Sequence, residues 1–505
     1  MKILFVYPQY PDTFWSFKYA LKFVSKRAAF PPLGLLTVAA MLPHLWEKKL
    51  VDMNVTALTD EDLKWADYVF ISAMTIQRNS VKEVITRCKD CKAKIVAGGP
   101  LFTTGYEEFD GVDHFVLGET EVTMPPFLED LEKGCAQHIY TSNKRPDLGK
   151  TPIPLWSLID MKKYSSMSLQ YSRGCPFNCE FCDIIILNGH KPRTKDKEQM
   201  LAELEALYHR GWRGGVFVVD DNFIGNKKKL KLEILPAIIE WRKGKKYPFA
   251  LSTEASINLA DDEELMRLMV GAGFNTVFVG IETPNEESLA ECNKFTNINR
   301  DLVASVKKIQ NYGLEISGGF IVGFDSDPLS IFKDQISFIQ RSGIVTAMVG
   351  LLNAPPGTRL YQRLKKENRL LNDSSGDNTD CSINFIPKMD YETLIHGYKH
   401  ILDTIYSPQH YYERIKTFLK EYKPRRRRKG RIHFHDIRAF VKSIWFLGIR
   451  EKGRRYYWKL FLSTLLKQPR KFPLAISLSV YGYHFRKVTE KYISLPAEDP
   501  GSSIN

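Results

Sequence analysis

Three cysteines, Cys175, Cys179 and Cys182, lie within eight positions of one another in Arg173-Gly-Cys-Pro-Phe-Asn-Cys-Glu-Phe-Cys182. Thiolates are soft ligands for iron and zinc, and three at i, i+4 and i+7 on one loop can converge on a single centre. A [4Fe–4S] cluster normally takes four thiolates. A trio leaves one iron open to an exogenous ligand. Zinc is the alternative: it prefers a closed tetrahedron, and His190 could complete one. The first spacing, however, is unlike an ordinary zinc hairpin. The other cysteines (Cys88, Cys91, Cys135, Cys292 and Cys381) are scattered, and eight in 505 residues do not make a disulfide scaffold. Cys88 and Cys91 form a CxxC pair at helical spacing before a strand, which argues against a second metal site.

Further polar groups fall at the ends of apolar runs. Asp220, Asp221 and Asn222 follow Val218-Val, Glu254 follows Ser252-Thr, and Glu282 follows Val279-Gly280-Ile. The plain reading of each carboxylate is a salt bridge or a helix N-cap. Two adjacent acids after an apolar strand are costly unless paired or used. Nearer the N-terminus, Ser72-Ala-Met74 and Gly98-Gly99 also end apolar runs. Glycines there let a large planar ligand approach the backbone closely.

The elements that must position these groups follow from periodicity. Strands are expected at Lys2–Tyr7, Leu50–Asn54, Tyr68–Ala73, Lys94–Ala97 and His114–Leu117, with helices at Leu33–Leu45, Glu61–Ala66 and Ser80–Cys91 between them. This alternation predicts a parallel, doubly wound, Rossmann-like sheet that binds ligands at the carboxyl ends of its strands. A loop-like linker follows from about 133. A second α/β region runs from Ser166, with strands near Ser166–Tyr171, Gly215–Val219, Ala250–Thr253, Thr276–Gly280, Glu315–Ile321 and Met348–Leu352. Six β/α units predict an open or partial (β/α)6 barrel, with its reactive groups at the strand ends. Beyond about 390 the pattern is helical. The expected domains are 1–140, a linker at 141–165, 166–395, and a basic, mostly helical region at 396–505.

Composition bounds the function. Apolar residues make up 44% of the chain, so global disorder is excluded. No window approaches the roughly 18 consecutive apolar residues of a spanning helix. Met1–Tyr7 reads as a strand rather than a signal peptide, so the expected compartment is the cytoplasm. Residues 407–491 hold 23 Lys and Arg against 5 Asp and Glu, so this stretch carries +18 of a net +14 and the rest of the chain is slightly acidic.

The CxxxCxxC pattern, with Phe181 before its last cysteine, resembles the radical S-adenosylmethionine (SAM) superfamily over about 167–400. The resemblance implies that Cys175, Cys179 and Cys182 ligate a [4Fe–4S] cluster whose open iron chelates SAM. One-electron reduction would then release a 5′-deoxyadenosyl radical that takes a hydrogen atom from substrate. It places Asp220, Asp221 and Asn222 near the SAM amino group and Glu254 near the ribose or substrate. Gly280 and Glu282 would lie near the adenosyl moiety, and Gly318–Gly323 near adenine. The N-terminal region resembles the cobalamin (B12)-binding domains fused to such cores. Ser72, Met74, Gly98 and Gly99 match the Ser-x-Leu and Gly-Gly motifs, whereas Asn54 stands where other cobalamin domains carry a histidine, and Ala57 replaces a glycine. No imidazole would then reach cobalt from position 54. Residues 30–32 and 98–104 would also contact cobalamin.

Nearly the whole chain resembles the cobalamin-dependent radical SAM proteins, the class B methylases, and within them the hopanoid C-2 methylase group. The resemblance rests on Phe30-Pro-Pro-Leu-Gly34, Asp52-Met-Asn-Val55, Val96-Ala-Gly-Gly-Pro100, Val219–Gly225, Thr253-Glu-Ala-Ser-Ile257 and Tyr481–Arg486. It implies methyl transfer to an unactivated carbon, with a polyprenoid lipid or another small molecule as substrate. An external one-electron donor of flavodoxin or ferredoxin type is also implied. The rivals are a cobalamin enzyme of other outcome, such as oxidative ring closure, and a non-catalytic iron–sulfur or cobalamin sensor. For the basic C-terminal region three readings stand: a solvated surface, contact with anionic lipid at the inner face of the membrane, and nucleic acid, the least favoured for want of a recognition motif.

Overall fold

The computed structural model describes residues 1–371, 375–377, 379–424 and 434–494. The basic run Arg425–Lys429 lies outside the described residues.

The first sheet has six parallel strands: β1 (Lys2–Tyr7), β2 (Glu47–Asp52), β3 (Tyr68–Ser72), β4 (Lys94–Gly98), β5 (His114–Val116) and β6 (Ile139–Tyr140). Their spatial order is β2-β1-β3-β4-β5-β6. Ile3 to Val6 are completely buried, as a central parallel strand covered on both faces requires. The order reverses beside β1, so the switch point, where doubly wound sheets bind ligands, lies between β1 and β3. Three details depart from the sequence reading. β2 begins at Glu47 rather than Leu50, because Glu47, Lys48 and Lys49 sit on an edge strand with partly exposed side chains. β6 falls where a structureless linker is expected to begin; two residues are too few to show a period. The helix Thr120–Glu132 persists through Pro125 and Pro126, held by burial of Thr123, Met124 and Phe127.

The second sheet also has six parallel strands: β7 (Ser166–Leu169), β8 (Gly215–Val218), β9 (Ala250–Glu254), β10 (Phe274–Glu282), β11 (Glu315–Val322) and β12 (Thr346–Leu351). They lie in sequence order, and among the described residues nothing pairs β7 with β12, so the barrel is open. Alternation sorts the side chains. Val216, Val218, Leu251, Val277 and Val279 are buried under the helices, while Phe217, Ser252, Glu254, Phe278, Ser317 and Met348 stay half-exposed on the other face.

Helices Tyr391–Tyr406, Pro408–Glu421 and Phe472–Ile493 close the molecule. Tyr406 donates to the Ala347 carbonyl at 2.6 Å, and the buried Arg414 donates to the Ile405 and Val345 carbonyls, which fixes the first two of these helices to β12 and the residue before it. Helix Phe472–Ile493 also reaches the first domain: Phe14 stacks on Phe485 at 4.2 Å, and His484 Nε2 donates to the Phe14 carbonyl at 2.9 Å. Among the described residues no helix is long and apolar enough to cross a membrane.

Candidate functional site

The cysteine loop leaves β7 through a two-residue antiparallel pairing of Ser172–Arg173 with Arg193–Thr194. Its neck requires glycine. Gly174 has φ +96°, and a Cβ there would lie 2.8 Å from the Lys191 carbonyl oxygen. Cys175 N–H donates to the Gly189 carbonyl and Glu180 N–H to the Cys292 carbonyl, so both ends of the loop are pinned. Phe181 packs against Phe324 at 6.3 Å, beneath the loop. Burial pushes all three thiols above the ordinary cysteine range. The cation whose field opposes this at all three is Lys294, which pairs with Glu282 at 2.7 Å. A cavity of about 430 Å³ opens beside Cys179, lined by Phe177, Asn178, Asn293, Lys294 and Phe295. Three thiols, Cys179 buried and Cys175 and Cys182 half-buried, on one pinned loop beside an open cavity are a donor set that fits an iron–sulfur cluster, because bound metal supplies the charge that deprotonates them. Among the described residues no three His, Cys, Asp or Glu side chains surround a point where a single ion would sit. A four-iron cluster needs no such point, since each thiolate takes its own iron. His190, the zinc candidate, is exposed.

Carboxylates gather on the strands beside this loop. Asp220 is fully buried. Its oxygens accept from the Tyr171 and Ser172 N–H groups and the Ser172 hydroxyl at 2.5–2.8 Å, and burial raises its pKa to about 7. That carboxylate is fully occupied in holding the segment that leads into the cysteine loop. Asp221 accepts from Asn188 Nδ2 at 3.2 Å and is raised to about 6, again by burial. Asn222 bridges Cys175 Sγ, at 3.9 Å from its Nδ2, to the Ser256 N–H, which donates to its Oδ1. Glu254 has no hydrogen-bond partner among the described residues; burial and the charges of Asp221 and Asp220 raise it to about 8. Glu282 sits at φ +64° at a bulge between β10 and β11. A Cβ on Gly280 would lie 2.3 Å from Glu282 Oε1 and 2.9 Å from Lys294 Nζ, so Gly280 makes room for that ion pair.

At the carboxyl edge of the first sheet the donors are small or already engaged. A Cβ on Gly98 would meet the Val116 carbonyl oxygen at 2.6 Å. Gly99 has φ +90°, and a Cβ there would lie 2.4 Å from Ser72 Oγ. Met74 is exposed at this edge. The Asn54 carboxamide is fully engaged: Nδ2 donates to Asp52 Oδ1 (2.8 Å) and the Pro8 carbonyl (3.3 Å), and Oδ1 accepts from Tyr10 N–H (3.0 Å). Asp52 is buried and raised above its ordinary range by that burial, and the Tyr164 hydroxyl donates to it at 3.0 Å. The domain's histidines, His44, His114 and His138, precede or open β2, β5 and β6, at the opposite edge of the sheet. The edge thus fits a large planar cofactor held by shape, with no imidazole toward its metal.

The two edges are brought together in two ways. Trp15 of the first domain donates its Nε1–H to Met348 Sδ at 3.0 Å and meets Phe278 edge-on at 5.5 Å, and Phe30 lies 5.3 Å from Phe217. These rings roof the barrel interior. Then Glu119 and Glu121, just beyond β5, meet arginines on both sides of the cysteine loop. Arg173 donates to both carboxylates at 2.8–2.9 Å, Arg193 donates to Glu119 at 2.8–2.9 Å, and Arg145 reaches Glu119 at 3.1 Å. Burial acts to raise Glu121, but Arg173 outweighs it and holds the carboxyl below its ordinary range. Neither this clamp nor Lys294 was anticipated from the sequence. The available signal was two glutamates after a strand and two arginines bracketing the cysteines.

Residues 25–128 match the B12 binding domain, 169–339 the Radical SAM superfamily, and 358–495 a domain of unknown function, DUF4070. The chain is 42% identical to an uncharacterized methyltransferase of Synechocystis sp., over 97% of this chain and 92% of that protein. It is 35% identical to hopanoid C-2 methylase of Rhodopseudomonas palustris, over 92% and 90% respectively. Among solved structures, the radical SAM methyltransferase TsrM of Kitasatospora setae, with cobalamin and a [4Fe–4S] cluster bound, shares the fold. The TM-score is 0.62 at 13% identity, over 97% of this chain and 99% of that one.

Proposed function

The chain belongs to the B12-binding radical SAM methyltransferases, and from that premise we propose that it methylates an unactivated sp3 carbon of a polyprenoid lipid. The carrying observation is the barrel interior: Phe217, Phe278, Met348, Trp15 and Phe30 form an apolar, aromatic surface on which Glu254 is the free carboxylate. Such a surface suits a rigid hydrocarbon better than a polar metabolite. The relative named hopanoid C-2 methylase agrees with this choice.

When bound, the cluster and SAM supply a radical able to take hydrogen from an unactivated carbon, and cobalamin supplies the methyl group. The protein's residues do the rest. We assign Cys175, Cys179 and Cys182 to three irons. SAM carries an ammonium and a sulfonium, and Asp221 and Glu254, when deprotonated, present negative charge toward it; Lys294 and Glu282 border the same space. Asp220 and Asn222 act through the loop, holding its backbone and Cys175. Ser72, Met74, Gly98 and Gly99 form the cobalamin edge, while Asn54 shapes the loop at Pro8–Tyr10. The roof of Trp15 and Phe30 excludes water from the reacting carbon. A flavodoxin or ferredoxin serves as electron donor. The enzyme works on the cytoplasmic side, at the inner face of the membrane that holds its substrate, with the basic C-terminal region toward that face.

The test is anaerobic turnover of the reconstituted enzyme with a polyprenoid lipid. The expected product has gained the mass of one CH2 unit, with 5′-deoxyadenosine formed alongside. A product lighter by two hydrogens would establish ring closure instead, and absence of SAM cleavage in cluster-loaded protein would favour a sensor.

A further inference from the structure

Seven of the twenty large apolar side chains exposed among the described residues fall in one short helical hairpin. Its first arm is the helix Phe434–Ser443 continued by the π-helix Ile444–Arg450; its second is the helix Arg454–Lys467. Ile437, Val441, Trp445 and Ile449 recur every four residues along the first arm and are 51, 58, 51 and 47% exposed. A four-residue repeat drifts about 40° per step around a regular α-helix. The wider π turns oppose that drift, so the four side chains stay in one stripe. On the second arm Leu462, Leu465 and Leu466 are exposed. Phe440 and Phe461 lie 6.0 Å apart, so the two arms meet at these rings. The hairpin is secured from its other side, by buried Leu447, Tyr457 and Leu460, so the stripe is not needed to hold the fold.

Charge says what covers this face. Residues 437–471 contain ten Lys and Arg and one acid, Glu451. Arg438, Arg450, Lys452, Lys459, Lys467 and Arg470 are exposed and have no acidic partner among the described residues. The Arg450 guanidinium lies 5.9 Å over the Trp445 ring, an amphipathic pair of the kind found at lipid headgroups. Nucleic acid would match the cations but not an apolar stripe flanked by them; an anionic bilayer surface matches both.

We propose that this hairpin is the docking surface of the protein for an anionic lipid bilayer, with the Ile437–Ile449 stripe inserted among the acyl chains and the flanking cations at the phosphates. Lys442 Nζ donates to the Lys22 carbonyl at 2.7 Å and Phe446 meets Phe23 at 5.5 Å, so the hairpin packs on the helix Lys18–Val24, which begins three residues beyond the Trp15 roof of the barrel. The docking surface stands whether or not the substrate is a polyprenoid.

The full-length protein, loaded with iron and cobalt, is floated with vesicles of phosphatidylglycerol or of phosphatidylcholine, neither containing polyprenoid. The salt is about 0.1 M or about 1 M, where the screening length falls from about 10 to about 3 Å. The wild type is expected to float with phosphatidylglycerol, to prefer it at least about tenfold over phosphatidylcholine, and to be partly released at high salt. The variant Ile437→Ser/Val441→Ser/Trp445→Ser/Ile449→Ser is expected to lose at least about tenfold in binding while keeping its metals. Arg450→Glu/Lys459→Glu/Lys467→Glu/Arg470→Glu should lose the preference for anionic lipid. The proposal is overturned if the wild type binds neither vesicle or both equally, or if the stripe variant floats like the wild type. It is also overturned if the wild type is a dimer that the stripe substitutions make monomeric, for then a second copy covers the face. Because the vesicles contain no substrate, failure of the polyprenoid reading leaves the outcome intact.

Discussion

The carboxyl edges of the two parallel sheets are apposed across the Glu119–Arg173 contact, yet they offer opposite things to a ligand. The first edge is a surface of small residues whose polar neighbours are already satisfied: Asn54 by Asp52, Pro8 and Tyr10, and Asp52 by Tyr164. The second edge gathers ionisable groups that the protein leaves partly unpaired, thiols and carboxyls whose pKa values burial raises. The lesson is that one architecture can select ligands by shape or by charge. On the proposed assignment a large macrocycle would be admitted by missing Cβ atoms, and a cationic cosubstrate and a metal cluster would be drawn to the ionisable groups of the second edge.

The sharpest test of that contrast removes one edge at a time. Replacing Cys175, Cys179 and Cys182 together by Ala should abolish iron binding and SAM cleavage while cobalt loading persists, as metal quantitation and an assay for 5′-deoxyadenosine would show. The converse is Gly99→Val, which forces a β-branched residue to φ +90° with its Cβ against Ser72. It should reduce cobalt loading by at least about tenfold and leave iron and SAM cleavage in place. If both cofactors fell together in either variant, the edges would not be independent.

The clamp that joins the edges should show a different signature. Glu119→Gln with Glu121→Gln leaves three arginines facing neutral partners, and a destabilisation of about 3–5 kcal/mol in chemical denaturation follows. Both cofactors should still bind, but more 5′-deoxyadenosine should form per methylated product, because the radical and the methyl donor lose their fixed relation. Unchanged coupling in a folded double variant would reduce the clamp to a structural role.

Smaller effects follow from the raised carboxyls. SAM should bind more weakly as pH falls from about 8 to about 6, since Glu254, at about 8, and Asp221, at about 6, lose the charge that attracts it. Equilibrium dialysis would show this, and Glu254→Gln should flatten the upper part of the profile. Stability moves the other way. A carboxyl whose folded pKa lies above its unfolded value holds its proton in the folded state first, so its contribution is present at low pH and lost as pH rises through the folded value. For Glu254 and Asp220, at about 8 and about 7, the cofactor-free protein should melt higher at pH 6.5 than at pH 8. Below that window His484, pushed down to about 4 by burial, acts against the trend.

Much of the fold was legible from local pattern. The limits of β1 are those its apolar run gives, and the alternation of the other strands except β6 needed only strand-length apolar segments between amphipathic helices. β6 and the helix through Pro125 and Pro126 escaped because a two-residue strand has no period and two prolines argue against a helix that tertiary burial nonetheless holds. In the site, the cysteine trio was legible because its three members are neighbours in sequence. Lys294, more than a hundred residues from those thiols, was not, nor was the engagement of the Asn54 carboxamide by Asp52, Pro8 and Tyr10.

The sequence by itself determined the donor types, their spacing on one loop and the parallel α/β class, since these depend on chemistry and on periods a few residues long. Only the tertiary structure decided which polar groups were left over. Asp220 and Asn54 are consumed by backbone and side-chain partners, while Glu254 is left without one, and Glu119 crosses from one sheet to the arginines of the other. That accounting depends on contacts between residues far apart in the chain. A buried polar group is either satisfied or available according to what the fold places within about 3 Å of it.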